Sequence, residues 1–98
     1  MDSKQREDVI AKIEVELEAY NLCKEKLYGL KNHNHKDYEF TLALSDASRQ
    51  YGIVFGIIST ARLLNLIDAI EFCDWTNKLI EIDAKYHERK DDKDEAFN

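Results

Sequence analysis

The chain contains no proline and only three glycines. Tight turns draw on both residues, so a β-rich domain with many turns is excluded and long helices are favoured. Cysteine is scarce as well. Cys23 and Cys73 lie far apart, can form one bridge at most, and show no CxxC spacing. They are expected as small, buried, apolar side chains in a reducing compartment. Arg62 and Asn65 interrupt the longest apolar run, which leaves it too short to span a bilayer. The opening MDSKQREDVI lacks the apolar core of a signal peptide. The expectation is a soluble, cytoplasmic protein. Positive charge is also short: 14 Lys and Arg against 20 Asp and Glu give a formal charge of −6, which argues against nonspecific grip on nucleic acid or anionic membrane.

What remains is apolar and charged. With 98 residues, 44% hydrophobic and 35% charged, the chain makes one small domain with a modest core. A domain this small gains burial by pairing with a copy, and a homodimer is expected. The pattern divides into a single helical domain over 1–88 and a charged, flexible tail over 89–98.

Three helices are predicted, at about 3–28, 37–64 and 69–88. In the first, Val9, Ile10, Ile13, Leu17, Tyr20, Leu27 and Tyr28 recur at steps of three and four. Asp2 or Ser3 can cap its start, and Gly29 stands where a left-handed residue commonly ends a helix. Lys24 projects onto the apolar stripe, with its stem expected on the core and its ammonium in water. The polar run LKNHNHK reads as a loop. Helix two places Phe40, Leu44, Ala47, Tyr51, Phe55 and Ile58 on one side, with Ile53, Ile57 and Leu64 facing away, a pattern expected to be buried all round. Asn65 suits a left-handed helix end, and Asp68 with Glu71 makes a capping box. Ile67 and Phe72 supply the matching hydrophobic staple. Helix three offers the seam Phe72, Trp75, Leu79, Ile82 and Tyr86. The connection is short, so helices two and three should lie antiparallel. The fold class is all-α: a three-helix bundle with a long central helix and an antiparallel hairpin of helices two and three.

Gly52, Gly56 and Thr60 form a strip of small residues along helix two. Each glycine costs a helix roughly 1 kcal/mol against alanine, a cost that makes sense where another backbone approaches closely. The approaching element is another helix of this chain or the same helix of a second copy.

Few residues suggest chemistry. His33 and His35, with Asp37 and Glu39, lack a third or fourth ligand at familiar spacing and read as a polar loop, so no metal and no cofactor are assigned. Ser45, Ser48 and Ser59 have no activating context. Asp74 with Lys78, and Glu81 with Lys85, read as solvated i,i+4 pairs. No phosphate-cradling glycine loop is present. Asp68, Glu71, Asp74, Glu81 and Asp83 on helix three would repel a DNA phosphate. No enzymatic activity is expected. Glu7, Glu14, Glu18 and Glu25 project onto one side of helix one, with Lys12 on the opposite side. This row offers a contact surface for an Arg/Lys-rich partner.

The run YGIVFGIISTARLLNLIDAIEFCDWTNKL, about residues 51–80, resembles small helical accessory proteins of phages and prophages of Gram-positive bacteria. These share an apolar Tyr-Gly…Gly-Ile-Ile run, a short Leu-x-Leu-Ile turn and an acidic helix. The resemblance implies a helical hairpin and transfers no catalytic residue. It also implies an accessory role of the kind filled by anti-CRISPR proteins. The expected function is therefore a non-enzymatic inhibitor of a bacterial defence system in the host cytosol, binding a nucleic-acid-processing effector through the glutamate row. The alternative is a self-associating structural or regulatory module of a prophage.

Overall fold

The computed structural model describes residues 3–30 and 38–96, with side chains described as far as Tyr86. Every element within them is helical: α1 (Ser3–Gly29), α2 (Tyr38–Leu63) and α3 (Ala69–Ala96). The chain is all-α. The three helices are nearly equal, at 27, 26 and 28 residues, so length does not single out α2 as expected. The difference arises at α3, which continues to Ala96 instead of ending near residue 88. The charged stretch there includes Lys, Arg, Glu and Ala, good helix formers, beside three aspartates, and has no proline or glycine to stop the helix.

The core gathers Ile13, Leu17 and Tyr20 from α1, Val54, Ile58 and Ala61 from α2, Ile67 from the junction and Leu79 from α3. Full burial of aliphatic side chains such as Ile13, Ile58 and Leu79 stabilises the fold by about 1.5–3 kcal/mol each. Val9, Ile10, Phe72, Trp75 and Ile82 pack around this cluster, so the stripes expected on helices one and three do face inward.

Helix α2 departs from expectation. Its buried stripe is Ala43, Ala47, Val54, Ile58 and Ala61; of the side read as apolar, Ala47 and Ile58 are buried, whereas Leu44 and Phe55 are 47% and 41% exposed. The small side chains go inward, because alanine lets a neighbouring helix approach closely while leucine and phenylalanine hold it away. The expectation of a helix buried on all sides is also overturned: Leu63 is 81% exposed and Leu64 58%.

The α2–α3 junction follows its local signals closely. Asn65 is the one non-glycine residue with positive φ, at 58°, among the described residues. Around it the Leu66 amide donates to the Ala61 carbonyl at 2.9 Å and the Asn65 amide to the Arg62 carbonyl at 3.1 Å, the paired bonds of a Schellman ending. The capping box is reciprocal: the Glu71 amide donates to Asp68 Oδ1 at 2.8 Å and the Asp68 amide to Glu71 Oε1 at 3.0 Å. Ile67 is buried, and Phe72 packs on the same cluster. Gly29 behaves otherwise than expected. No glycine has positive φ, and α1 ends with the Leu30 amide bonded to the carbonyls of Lys26 and Leu27, both at 3.2 Å.

Polar contacts tie α3 to α1. Near the junction the Arg6 guanidinium grips the Glu71 carboxylate through both nitrogens and donates to the Leu66 carbonyl at 3.0 Å. Further along, Lys24 Nζ reaches Asp83 at 3.0 Å and the Tyr86 hydroxyl reaches Asn21 Oδ1 at 3.3 Å. The ammonium of Lys24 thus ends on a carboxylate of α3, not in water as expected, and its side chain is only 13% exposed. Between α1 and α2, Gln50 donates to Glu16 at 2.6 Å, and the rings of Tyr20 and Tyr51 meet edge-on at 5.6 Å.

Candidate functional site: the outer faces of α1 and α2

The glutamate row lies on the open side of α1. Successive residues of a helix turn by about 100°, so Glu7, Glu14, Glu18 and Glu25 fall within an arc of roughly 40°. All four are exposed. None takes part in an ion pair among the described residues, whose pairs are Arg6–Glu71, Lys12–Glu16, Lys24–Asp83 and Arg49–Asp46. Lys12 is engaged at 3.2 Å with Glu16, a carboxylate outside the row. The Gln50 amide and the Lys12 ammonium together hold the Glu16 carboxyl below its ordinary pKa. The row therefore presents four exposed carboxylates, none engaged in an ion pair among the described residues.

The glycine strip lies on the open side of α2. Gly52, Gly56 and Thr60 are exposed, and among the described residues no heavy atom beyond the chain neighbours and the surrounding backbone of α2 itself comes within 4 Å of where a Cβ would stand on either glycine. Packing of the strip against another helix of this chain, one of its two expected uses, is therefore not found. The small residues of α2 that are buried are Ala43, Ala47 and Ala61 instead. Along the strip runs a groove of about 350 Å³, lined by Gly52, Ile53, Gly56 and Ile57 of α2, by Leu64 just past its end and by Val9 of α1. A second recess, lined by Asp8, Val9, Lys12 and Leu64 among others, continues it toward the start of α1.

Other features are structural. Tyr20, 3% exposed, donates to Asp83 at 3.3 Å, and burial together with that carboxylate pushes its phenol above the ordinary range. Neither Asp74–Lys78 nor Glu81–Lys85 forms an ion pair. Lys78 instead lies over the Trp75 ring at 4.4 Å and Lys85 over the Tyr86 ring at 5.2 Å, where the ring face attracts the cation. Both cysteines are free. Cys23 is half-buried and Cys73 exposed, so the expectation that both are buried fails. The Lys24–Asp83 bond joins residues 59 apart in sequence, which no local spacing reveals, and sequence reasoning missed it for that reason; the Lys78–Trp75 contact, at i,i+3, and the adjacent Lys85–Tyr86 contact were within reach of local spacing.

His33, His35 and Asp37 lie outside the described residues. Among the described residues, no three His, Cys, Asp or Glu side chains gather as a metal ion would require, and no helix is long and apolar enough to cross a membrane. Comparison with protein-family models, curated proteins and solved structures finds no match to this chain.

Proposed function

We propose that the chain is a non-enzymatic protein-binding inhibitor of a bacterial defence system, of the anti-CRISPR kind. It acts in the host cytosol by occupying a basic or functional surface of a nucleic-acid-processing protein. The observation that carries this reading is the exposed glutamate row of α1, clear of every ion pair among the described residues. From Glu7 to Glu25 the row spans about 27 Å. Carboxylates in such a line steer a positively charged surface into register and compete with the phosphates it would otherwise bind. Direct contact of this protein with nucleic acid or membrane has no part in the mechanism.

The fold that holds the row is a three-helix bundle in which α2 is central and forms an antiparallel hairpin with α3. The order of contacts supports it. Arg6 meets Glu71 and Asn21 meets Tyr86, so α1 and α3 advance together. Glu16 meets Gln50, whereas the earlier Val9 lies by the later Leu64, so α1 and α2 run opposed.

The test is affinity capture from nuclease-treated lysates of Gram-positive bacteria that carry defence systems, followed by measurement with the captured effector. Reversing Glu14 and Glu18 together to Lys should weaken binding about tenfold or more, with helix content unchanged. Equal affinity of variant and parent would remove the reading. The alternative, a self-associating structural or regulatory module of a prophage, has its support in the exposed face of α2.

A further inference from the structure

Helix α2 is charge-free from Gln50 to Ala61 in a chain where 34 of 98 residues are charged (14 + 20). Its outer face is nonetheless exposed: Ile53 is 41% accessible and Leu64 58%, flanking two glycines open above their backbone. The outer side of α1 carries the glutamate row. Two copies of a chain with charge −6 meet without opposing carboxylates only where charge is missing, and α2 provides that place. Ile53 and Leu64 line the same groove as Gly52 and Gly56, so the face offers both side chains and an open backbone to a partner.

Charge at its two ends completes the match. Arg49, 72% exposed, stands one turn before Gly52 and pairs only at the surface with Asp46. Asp8 is exposed, enters no ion pair among the described residues, and lines the recess beside Leu64 at the far end; Lys12, which lines it too, is already held by Glu16 at 3.2 Å. Along the helix these ends are roughly 20 Å apart. A two-fold axis at the glycines exchanges them, bringing a cation of each copy toward an anion of the other. A surface pair such as Arg49–Asp46 contributes little, so the guanidinium, with five donors, can serve both carboxylates.

We propose that this face of α2 is the seat of a second copy of the chain, docked about a two-fold axis at Gly52 and Gly56 with Arg49 of each copy against Asp8 of the other. The proposal rests on the self-associating reading and names its contacts. It does not depend on the glutamate row, which lies on another side of α1, so the inhibitor reading can fail without it.

Sedimentation equilibrium of the full chain tests it. The wild type should dimerise within a range that reaches about 1 mM. Arg49→Glu alone and Asp8→Arg alone should each weaken association about tenfold, since every substitution acts twice in a two-fold interface. The double variant should recover it. Gly56→Leu, placed where the monomer has open space, should give a helical monomer. A wild type that stays monomeric throughout would overturn the proposal and leave the face to a different kind of partner. A Gly56→Leu dimer, or a double variant no better than either single one, would overturn it equally.

Discussion

At the α2–α3 junction, a left-handed Asn65, a reciprocal capping box, a buried Ile67 and the Arg6 guanidinium converge within a few residues. Two to four turns upstream, the outer face of α2 has exposed apolar side chains such as Ile53 and two glycines that are open above their backbone. The two regions adjoin in sequence and share a helix, yet one is closed by its own chain and the other is not. Local rules suffice to complete a junction, because every partner is near in sequence. An apolar face is completed only by something large enough to cover it. The contrast separates what this chain needs in order to fold from what it has left over for interaction.

The hardest blow to that contrast compares two neighbouring aliphatic residues. Ile67 is 2% exposed at the base of the junction, and truncation to alanine should cost about 2–5 kcal/mol. At roughly 4–8 °C per kcal/mol for a domain of this size, the melting temperature should fall by about 10 °C or more. Leu63, 81% exposed on the outer side, should change stability by less than about 0.5 kcal/mol when truncated. Thermal melts of dilute protein, followed by circular dichroism, measure both. Equal losses from Ile67→Ala and Leu63→Ala would mean that the outer face is covered in the folded monomer.

A smaller effect of opposite sign is expected at Gly56. It is helical, without positive φ, and an added methyl meets open space. Gly56→Ala should therefore raise monomer stability by about 0.5–1 kcal/mol through helix propensity alone. Measured in dilute solution, where association is weak, a gain in melting temperature supports an open strip. A loss would mean that a neighbour already occupies it.

This division also sets how much of the molecule is legible from sequence. The junction was readable because its signals, Asn65, Ile67, Asp68, Glu71 and Phe72, act on groups at most a few residues away. The inner side of α2 was not. From Tyr51 to Ala61 apolar residues occur on every side, so periodicity carries no contrast, and close helix packing selects Ala43, Ala47 and Ala61 over Leu44 and Phe55. The fate of Lys24 depends on Asp83, 59 residues away, and no spacing rule reaches that far. Both candidate surfaces were legible as patterns, the glutamates by their alignment and the glycines by their spacing. Only the folded arrangement distinguishes a strip that packs within the chain from one left open.

The finest probe is pH, and it acts on the closed region alone. The Arg6 guanidinium, helped by the Asp68 amide, holds the Glu71 carboxyl at about 2, below its ordinary 4.5. A carboxyl depressed in the folded state stabilises it above the ordinary value and loses that contribution as pH falls toward the folded one. The window therefore runs from about pH 5 down to about pH 2. Glu71→Gln tests it cleanly, since glutamine retains an oxygen for the capping box and lacks the charge. Parent and variant should differ in melting temperature at neutral pH and converge as pH approaches 2. The gap should be modest and should narrow with added salt, because the Arg6 and Glu71 side chains are 43% and 27% exposed. A gap independent of pH would assign the stabilisation to the shape of the cap. Convergence on acidification would assign it to the ion pair that ties α1 to the junction, whereas the outer face of α2, with no carboxyl group between Gln50 and Ala61, should contribute nothing to that acid limb.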